Sequence, residues 1–176
     1  LESSRAPDYG RLKEYAPFSF TTEETGGIIG NGDITMDWIV HVLKRAVDTQ
    51  YRTKADRRHT FLAGSSMGGL MTLYGLLAYP EVFSRGAALS PSLWIDAEKV
   101  KAMIRHARVK RNTVLYMDYG ALEFADHPHS RSLFAEVSAL LIEKRVLLNS
   151  RIVPRGTHCE ASWEKQIPFF MKTLFE

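Results

Sequence analysis

The stretch that decides the fold is Phe61-Leu-Ala-Gly-Ser-Ser-Met-Gly-Gly-Leu70. Its centre, Gly64-Ser-Ser-Met-Gly68, fits the pattern G-x-S-x-G, in which a serine stands on a tight turn between a strand and a helix. Such a turn strains the serine backbone, and glycines two residues to either side remove the collision that side chains would cause there. The pattern predicts that Ser66 is a nucleophile. It also predicts that the Met67 N–H, at the start of the following helix, donates to an oxyanion.

The rest of the chain alternates short apolar runs with longer helical patterns. Strands are predicted at residues 60–63, 85–89, 113–117 and 151–154. Helices are predicted at residues 67–78, 98–107, 130–145 and about 163–174, where Pro168 either kinks the last helix or stands near its start. A helix at 33–48 is predicted from apolar residues on one face, namely Trp38, Ile39, Val42, Leu43 and Val47. The first thirty residues are interpreted as loop. This alternation predicts an α/β fold, a mostly parallel sheet with helices on both faces.

Composition narrows the class of protein. At 176 residues and 20.0 kDa the chain is long enough for a single domain with a buried core, and we expect residues 1–176 to form one. A net charge of +3 and a pI near 9.0 are too mild to indicate a nucleic-acid partner. No apolar stretch reaches the roughly 20 residues of a membrane span. The single cysteine excludes an internal disulfide and a multi-cysteine zinc site.

A serine nucleophile needs a general base, and the sequence offers His158. It lies in Arg155-Gly-Thr-His-Cys-Glu160, between the last predicted strand and the last predicted helix. The chain order serine, acid, histidine is the order that accompanies this serine turn, which favours His158 over an ordinary solvated histidine. Four further side chains of metal-ligating types stand close together in sequence: Glu123, Asp126, His127 and His129. Without a recognisable ligand geometry we favour a polar loop there and expect no metal.

The acid of such a site should follow the predicted strand that ends near Met117. Asp118 stands directly at that strand end, where its carboxylate can instead accept from loop amides. Glu123 stands further into the loop, where a carboxylate can swing toward His158. Either acid would fix the histidine tautomer and stabilise the imidazolium that forms during attack. Residue chemistry alone leaves the two equal.

Motifs along nearly the whole chain resemble the Putative esterase (esterase D-like) family of α/β-hydrolases. That family holds siderophore esterases, feruloyl and acetylxylan esterases and S-formylglutathione hydrolases. The matching segments are Arg11-Leu-Lys-Glu-Tyr-Ala-Pro17, Tyr51-Arg-Thr53, Gly64-Ser-Ser-Met-Gly-Gly69, Tyr79-Pro-Glu-Val-Phe83, Ser90-Pro-Ser-Leu-Trp94, Gly120-Ala-Leu-Glu123 and Gly156-Thr-His-Cys-Glu-Ala-Ser-Trp163. The resemblance implies an α/β-hydrolase fold and a carboxylic ester hydrolase that needs no cofactor.

The same resemblance bears on individual residues. Gly120-Ala-Leu-Glu123 is similar to the segment that carries the family's catalytic acid, which favours Glu123 over Asp118, although some siderophore esterases of the family are thought to use a Ser–His dyad. The resemblance also implies that Trp94 lies near the acyl pocket, with an ordinary core or surface aromatic as an equal expectation. A basic stretch would suit an anionic ester, but the solvated face of a helix is the preferred interpretation. It comprises Lys99, Lys101, Arg105, Arg108, Lys110 and Arg111.

These observations together predict a serine esterase that acts through an acyl-enzyme on a small-molecule ester of the siderophore, acyl-sugar or hydroxycinnamoyl type. His158 would take the Ser66 proton as the hydroxyl attacks the ester carbonyl, and water would then release the acyl group. Two alternatives stay open. One is an acyltransferase with the same residues, and the other is a non-catalytic binding module built on the same fold.

The resemblance further implies that this chain holds only the C-terminal part of the fold. The segment R-x-x-E-Y-x-P follows the fourth strand in the family, which puts Leu1 at or just beyond that strand. We therefore expect the later strands alone, with the N-terminal part of the same protein as their partner. The loop that supplies the second oxyanion donor would lie in that part. The first predicted strand would then expose an apolar edge. No signal-peptide segment is visible, which favours the cytoplasm, but a first residue other than Met implies a missing start.

Overall fold

The computed structural model describes residues 12–22, 26–126 and 129–176. Within them, a short antiparallel pair of strands precedes a sheet of four parallel strands that lie side by side in chain order. The pair consists of β1 (Phe20–Thr22) and β2 (Gly26–Ile28), and the sheet of β3 (Phe61–Ser65), β4 (Arg85–Leu89), β5 (Val114–Gly120) and β6 (Leu147–Val153). Since all three neighbouring pairs of the sheet are parallel, the predicted parallel sheet is confirmed.

Helices connect and cover these strands. A helical run starts with α1 (Gly32–Trp38), passes through a π-helical turn (Ile39–Leu43) and ends with α2 (Lys44–Gln50). The helices that follow are α3 (Met67–Ala78), α4 (Ala97–His106), α5 (Glu123–Asp126), α6 (Ser130–Glu143), α7 (Glu160–Glu164) and α8 (Ile167–Phe175). Pro168 stands in the first turn of α8, so the last helix begins there and is not kinked.

The sheet is covered by helices on both faces. On one face, Ala88 and Met117 belong to the larger core cluster, to which α3, α4 and α6 contribute. On the other face, Ala87 and Tyr116 pack with Leu174 of α8. Because successive strand residues point to opposite faces, the two clusters lie on opposite sides of the sheet. This arrangement is the α/β-hydrolase type of layering that the sequence predicted.

The two longest helical runs before β4 differ in how much of their surface is covered. Helix α3 is buried nearly all around, as its uniformly apolar sequence predicts. In the run from Gly32 to Gln50, the buried residues are Gly32, Met36 and Val40. The apolar residues that predicted this run are mostly exposed, namely Trp38, Val42, Leu43 and Val47. The helix is therefore present as predicted, but the apolar face that predicted it is not covered by the described residues.

Two predictions about local structure are wrong. Residues within the first thirty form β1, β2 and a 3-10 turn at Lys13–Tyr15, where only loop was expected. Strands of three residues are too short to show the alternation of apolar and polar residues that identifies a strand in a sequence. The last strand begins at Leu147 instead of Arg151. The polar run Asn149-Ser-Arg151 interrupts the apolar pattern after Leu148, so the sequence showed only the second half of the strand. Among the described residues, no helix combines the length and apolar character that crossing a membrane requires.

Candidate active site

Ser66 occupies the turn between β3 and α3 in the strained conformation that the motif predicted. Its backbone angles are φ 55° and ψ −122°, in the region that residues other than glycine rarely adopt. The Ser66 amide donates to the Leu89 carbonyl at 2.9 Å, which ties the turn to β4. A Cβ on Gly64 would lie 2.5 Å from the Gly68 carbonyl oxygen, whereas a Cβ on Gly68 would meet nothing within 4 Å. The steric need for glycine therefore holds at Gly64 and not, as predicted, on both sides.

Met67 is the first residue of α3, a helix of 12 residues. Amides in the first turn of a helix have no acceptor within the helix, and the helix dipole places partial positive charge at the same end. Both effects favour negative charge beside Ser66. Met67 thus stands where a backbone oxyanion donor is needed, and its role as that donor stays a prediction.

Three side chains meet at the carboxyl edge of the parallel sheet. Ser66 follows β3, Glu123 follows β5 and His158 follows β6, and the carboxyl ends of parallel strands share one edge. The Ser66 hydroxyl oxygen lies 2.9 Å from His158 Nε2, and Glu123 Oε2 lies 2.8 Å from His158 Nδ1. Because a carboxylate only accepts hydrogen bonds, Nδ1 carries the ring proton and Nε2 is left to accept from Ser66. This is the tautomer that a general base requires.

Two glycines allow the loops after β5 and β6 to approach each other. A Cβ on Gly120 would lie 2.4 Å from the Gly156 carbonyl and 2.6 Å from Glu123 Oε1. The same close approach lets the Leu122 amide donate to the Gly156 carbonyl at 3.0 Å. A side chain at position 120 would push apart the two loops that carry Glu123 and His158.

The Glu123 carboxylate is buried, with only 5% of the residue exposed. Oε1 accepts from the Ser90 hydroxyl and from the Gly120 amide, each at 2.7 Å, while Oε2 accepts from His158. Burial by itself would raise the pKa of Glu123, but the hydrogen bonds from His158, Ser90 and the Gly120 amide outweigh it and hold the pKa below its usual value. Glu123 is therefore ionised at neutral pH and fixed at both oxygens.

Asp118, the alternative acid, has hydrogen-bond partners other than the histidine. Its Oδ2 accepts from the Tyr116 hydroxyl at 2.7 Å and its Oδ1 from the Ser90 amide at 3.2 Å. Burial raises the pKa of Asp118 against the opposing effect of these hydrogen bonds. The structure thus brings Glu123, and not Asp118, to His158.

Three residues at the site were quoted in motifs but given no role by the sequence. Ser92 Oγ lies 3.4 Å from Ser66 Oγ. The Trp163 ring packs edge-on against the His158 ring, with centroids 4.9 Å apart, and its indole N–H donates to Ser90 Oγ at 3.0 Å. Ser90-Pro-Ser-Leu-Trp94 and the terminal tryptophan of the histidine motif were the available signals, but sequence cannot show that their side chains meet.

The other residues singled out by sequence lie around the site. Trp94 is on a 3-10 turn (Leu93–Ile95) after β4 and is 46% exposed, so it is a surface aromatic, and its part in an acyl pocket stays a prediction. In the basic stretch, Lys99 pairs with Asp96 and Lys101 with Glu98 and Glu136. These ion pairs agree with a solvated helix face. The four possible metal ligands named from the sequence include His127, which lies outside the described residues.

Several proteins of similar sequence or fold are named esterases or hydrolases. A family model described as "Putative esterase" matches residues 23–171. The chain belongs to this family. An iron(III) salmochelin esterase from Escherichia coli O6:H1 is 38% identical over 79 residues, and a siderophore triacetylfusarinine C esterase from Aspergillus fumigatus is 29% identical over 105 residues. An IroE-like serine hydrolase from Shewanella oneidensis has a similar fold, with a TM-score of 0.74 at 19% identity over 93% of this chain.

These similarities cover only part of each relative. The matched segments are 44% and 56% of this chain but 19% of the E. coli esterase and 35% of the Aspergillus esterase. The structural match spans 55% of the Shewanella protein. The family and the fold are thus shown for this chain, whereas the activity of the whole protein is a matter of proposal.

Proposed function

We propose that this chain carries the catalytic site of a serine carboxylic ester hydrolase, with Ser66 as nucleophile, His158 as general base and Glu123 as the acid. The observation that carries the proposal is a pair of hydrogen bonds to the His158 ring. Nε2 lies 2.9 Å from Ser66 Oγ, and Nδ1 lies 2.8 Å from Glu123 Oε2. Serine-hydrolase sites are recognised by this arrangement, in which the base lies within hydrogen-bond reach of the nucleophile and the acid lies within hydrogen-bond reach of the base.

In the first step, the Ser66 hydroxyl attacks the carbonyl carbon of an ester. Its proton passes to His158 Nε2, while the Nδ1 proton stays hydrogen-bonded to the Glu123 carboxylate, which stabilises the imidazolium. The carbonyl oxygen becomes an oxyanion, and the Met67 N–H donates to it. When the tetrahedral intermediate collapses, the ester C–O bond breaks, the leaving alkoxide takes the proton from His158, and an acyl-enzyme on Ser66 remains.

In the second step, water replaces the alcohol. His158 takes a proton from water as it attacks the acyl carbon, and the bond to Ser66 Oγ breaks as Oγ recovers that proton. A carboxylic acid leaves and the site is restored. The exposure of the His158 side chain, 43%, supports this step because water can reach Nε2. No step requires a metal or an organic cofactor.

The names of the relatives favour a siderophore ester as substrate. One curated relative is named an iron(III) salmochelin esterase and another a siderophore triacetylfusarinine C esterase. A ferulic acid esterase is also among the structures of similar fold, with a TM-score of 0.64, so a hydroxycinnamoyl ester is the second substrate class to test, and an acyl-sugar ester the third.

We also propose that polypeptide outside these 176 residues completes the sheet beyond β3. Strand β3 is the first in the described sheet and has a neighbour, β4, on one side. The run from Gly32 to Gln50 exposes Trp38 and Val42, each by about half. An unpaired strand edge and exposed apolar side chains each favour association. A further oxyanion donor from that part would contribute about 2.7–4 kcal/mol to the transition state, so the 176-residue piece alone should be nearly inactive.

The deciding experiment uses a fluorophosphonate probe on the complete protein. Mass spectrometry should find the label on Ser66, and prior labelling should abolish hydrolysis of acetyl, feruloyl and catecholate esters. Absence of labelling on a folded protein would favour the non-catalytic binding module. Formation of a transferred ester in the presence of an alcohol, in preference to free acid, would favour the acyltransferase. Full activity of a soluble 20.0 kDa monomer would contradict the proposed completion of the sheet.

A further inference from the structure

A second layer of buried polar groups lies behind the three catalytic side chains, centred on Ser90. Ser90 directly follows β4 and is 1% exposed. Its hydroxyl oxygen contacts Glu123 Oε1 at 2.7 Å and Trp163 Nε1 at 3.0 Å. Its amide donates to the Asp118 carbonyl at 3.0 Å and to Asp118 Oδ1 at 3.2 Å. Each polar atom named here therefore has a partner from another segment of the fold.

The chemistry of these groups fixes the direction of the Ser90 hydroxyl. An indole N–H can only donate, so Ser90 Oγ accepts from Trp163. The single hydroxyl proton of Ser90 is then left for Glu123, which as a carboxylate can only accept. Since Glu123 Oε1 is held in this way and Oε2 by His158, rotation of the carboxylate is restricted.

Trp163 contacts this layer and the catalytic base at the same time. Its ring packs edge-on against the His158 ring, at an interplanar angle of 84°, while its N–H holds Ser90. One side chain on α7 thus touches the base directly and touches the acid through Ser90. A shift of Trp163 would be felt at both members of the pair.

Ser90 holds its place in an unusual backbone conformation. Its φ of 41° lies in the left-handed region, which costs free energy for any residue other than glycine. Asp118 offsets that cost by accepting from the Ser90 amide with both its carbonyl and its carboxylate, and Tyr116 holds that carboxylate in turn. This gives Asp118 an explanation that does not involve the histidine.

We infer that Ser90 and Trp163 are positioning residues, which fix the Glu123 carboxylate and the His158 ring in the geometry that general-base catalysis requires, and that Asp118 anchors Ser90. The inference rests on the proposed function. Neither Ser90 nor Trp163 exchanges a proton with substrate. Their contribution should therefore appear in kcat and in the pH dependence, and not in KM.

The first test replaces Ser90 in the complete protein and uses Ser84 as its matched control. The two serines flank β4, Ser90 at its carboxyl end and Ser84 at its amino end, and both are buried. Ser84 Oγ has no hydrogen-bond partner within the described part of the chain. Ser90→Ala should lower kcat by about 10- to 100-fold with KM changed by less than about twofold. Ser84→Ala should leave both unchanged.

The pH profile separates positioning from a merely structural role. Loss of the Ser90 hydroxyl removes a donor from the Glu123 carboxylate and increases the proton affinity of the Glu123–His158 pair. The acid limb of kcat/KM should therefore move to higher pH in Ser90→Ala, by about half a unit. Other ionisable groups that face Glu123 are Asp118 and Tyr119. Neither is altered in this variant, so the shift reports the pair.

Two further variants keep the inference falsifiable if Ser90→Ala folds poorly. Ser90→Gly relieves the backbone strain but lacks the hydroxyl, so it should lose as much activity as Ser90→Ala, and wild-type activity in it would overturn the inference. Trp163→Phe keeps a ring against His158 but removes the N–H, and should cost about fivefold in kcat. No loss in that variant would also count against the inference.

Ser66→Ala separates failure of this inference from failure of the proposed function. An active Ser66→Ala would overturn the proposed function and this inference with it. An inactive Ser66→Ala, together with a Ser90→Ala that matches Ser84→Ala in rate and pH profile, would overturn only the inference.

Discussion

The four parallel strands carry polar side chains at both ends, and the two ends use them differently. At the amino end, Arg57 donates to the Pro80 carbonyl at 2.6 Å and to the Thr113 hydroxyl at 2.9 Å, and Arg85 donates to the Leu174 carbonyl at 3.0 Å. At the carboxyl end, Ser66 and Glu123 each form a hydrogen bond with the His158 ring. Hydrogen bonds between side chains are a minority in proteins, about 10–15%. The carboxyl end differs because three side chains from separate segments are connected in series there, whereas both arginines at the amino end donate to backbone carbonyls.

From this difference between the two ends of the sheet, we expect substitutions at the carboxyl end to change the rate of hydrolysis and substitutions at the amino end to change the free energy of unfolding. The largest effect should come from Ser66→Ala in the complete protein, because it removes the nucleophile. Hydrolysis of an activated ester should fall by up to about a millionfold. Ser65→Ala is the control, since Ser65 is the variable residue of the turn, and its effect should be mild. A Ser66→Ala rate within roughly tenfold of the parent would contradict the assignment.

The two carboxylates at the carboxyl end should differ almost as strongly. Glu123→Gln keeps the shape but loses the acceptor that fixes the histidine tautomer, so kcat should fall by about 10⁴-fold. Asp118→Asn keeps an acceptor oxygen for the Ser90 amide and turns its NH2 donor toward the Tyr116 hydroxyl oxygen, and its kcat should stay within about tenfold. Steady-state kinetics of the two variants on one ester gives the comparison. Equal losses would show that the site does not discriminate between the two acids as the geometry requires.

Much of the carboxyl end could be predicted from sequence because it is built from local signals. The G-x-S-x-G turn and the order of strands and helices led to Ser66 and His158 from residue types alone. Residue chemistry alone leaves Glu123 and Asp118 equal, since the choice depends on how the chain bends toward the histidine after β5, the strand that includes Asp118. That bend depends on contact between Gly120 and Gly156, which are 36 positions apart.

Other features were missed because their signal was short or lay between segments. Strands β1 and β2 have three residues each, fewer than a periodic pattern needs. The role inferred for Ser90 comes from partners on β5, α5 and α7, and one sequence cannot show that they converge. The exposed apolar face at Trp38 was correctly predicted to belong to a helix. The pattern gave no information about what would cover it.

At the amino end, we expect Arg85→Met to affect stability alone. The substitution removes charge-assisted hydrogen bonds to the carbonyls of Thr173 and Leu174, at 3.3 and 3.0 Å, which satisfy the end of α8. The free energy of unfolding should fall by about 1.5–3 kcal/mol, with kcat within about threefold of the parent below the melting temperature. Arg45→Met, on the exposed side of α2, is the matched control. A loss of kcat beyond tenfold in a folded Arg85→Met would break the proposed division between the two ends.

The smallest expected effect concerns how stability depends on pH. The pKa of Glu123 is lowered in the folded state. Its carboxylate therefore stabilises the fold above the unfolded value of about 4.3, and this stability is lost as the pH falls through the folded pKa. The pKa of Asp118 is raised. Its charge therefore opposes folding above the folded pKa, and that penalty disappears as the pH falls toward the unfolded value of about 3.9.

The two variants should then show opposite pH slopes relative to the parent. The stability advantage of the parent over Glu123→Gln should shrink between about pH 7 and about pH 3, mainly below the unfolded pKa of about 4.3. The stability of the parent relative to Asp118→Asn should improve over the same interval, mainly above the unfolded pKa of about 3.9. Urea unfolding of the three proteins at both pH values measures this, with an expected size of about 1 kcal/mol. The titration of groups that contact neither carboxylate is common to the three proteins and cancels in the differences. Slopes of the same sign would mean that the two carboxylates share one environment, against the separate hydrogen-bonding partners that the structure gives them.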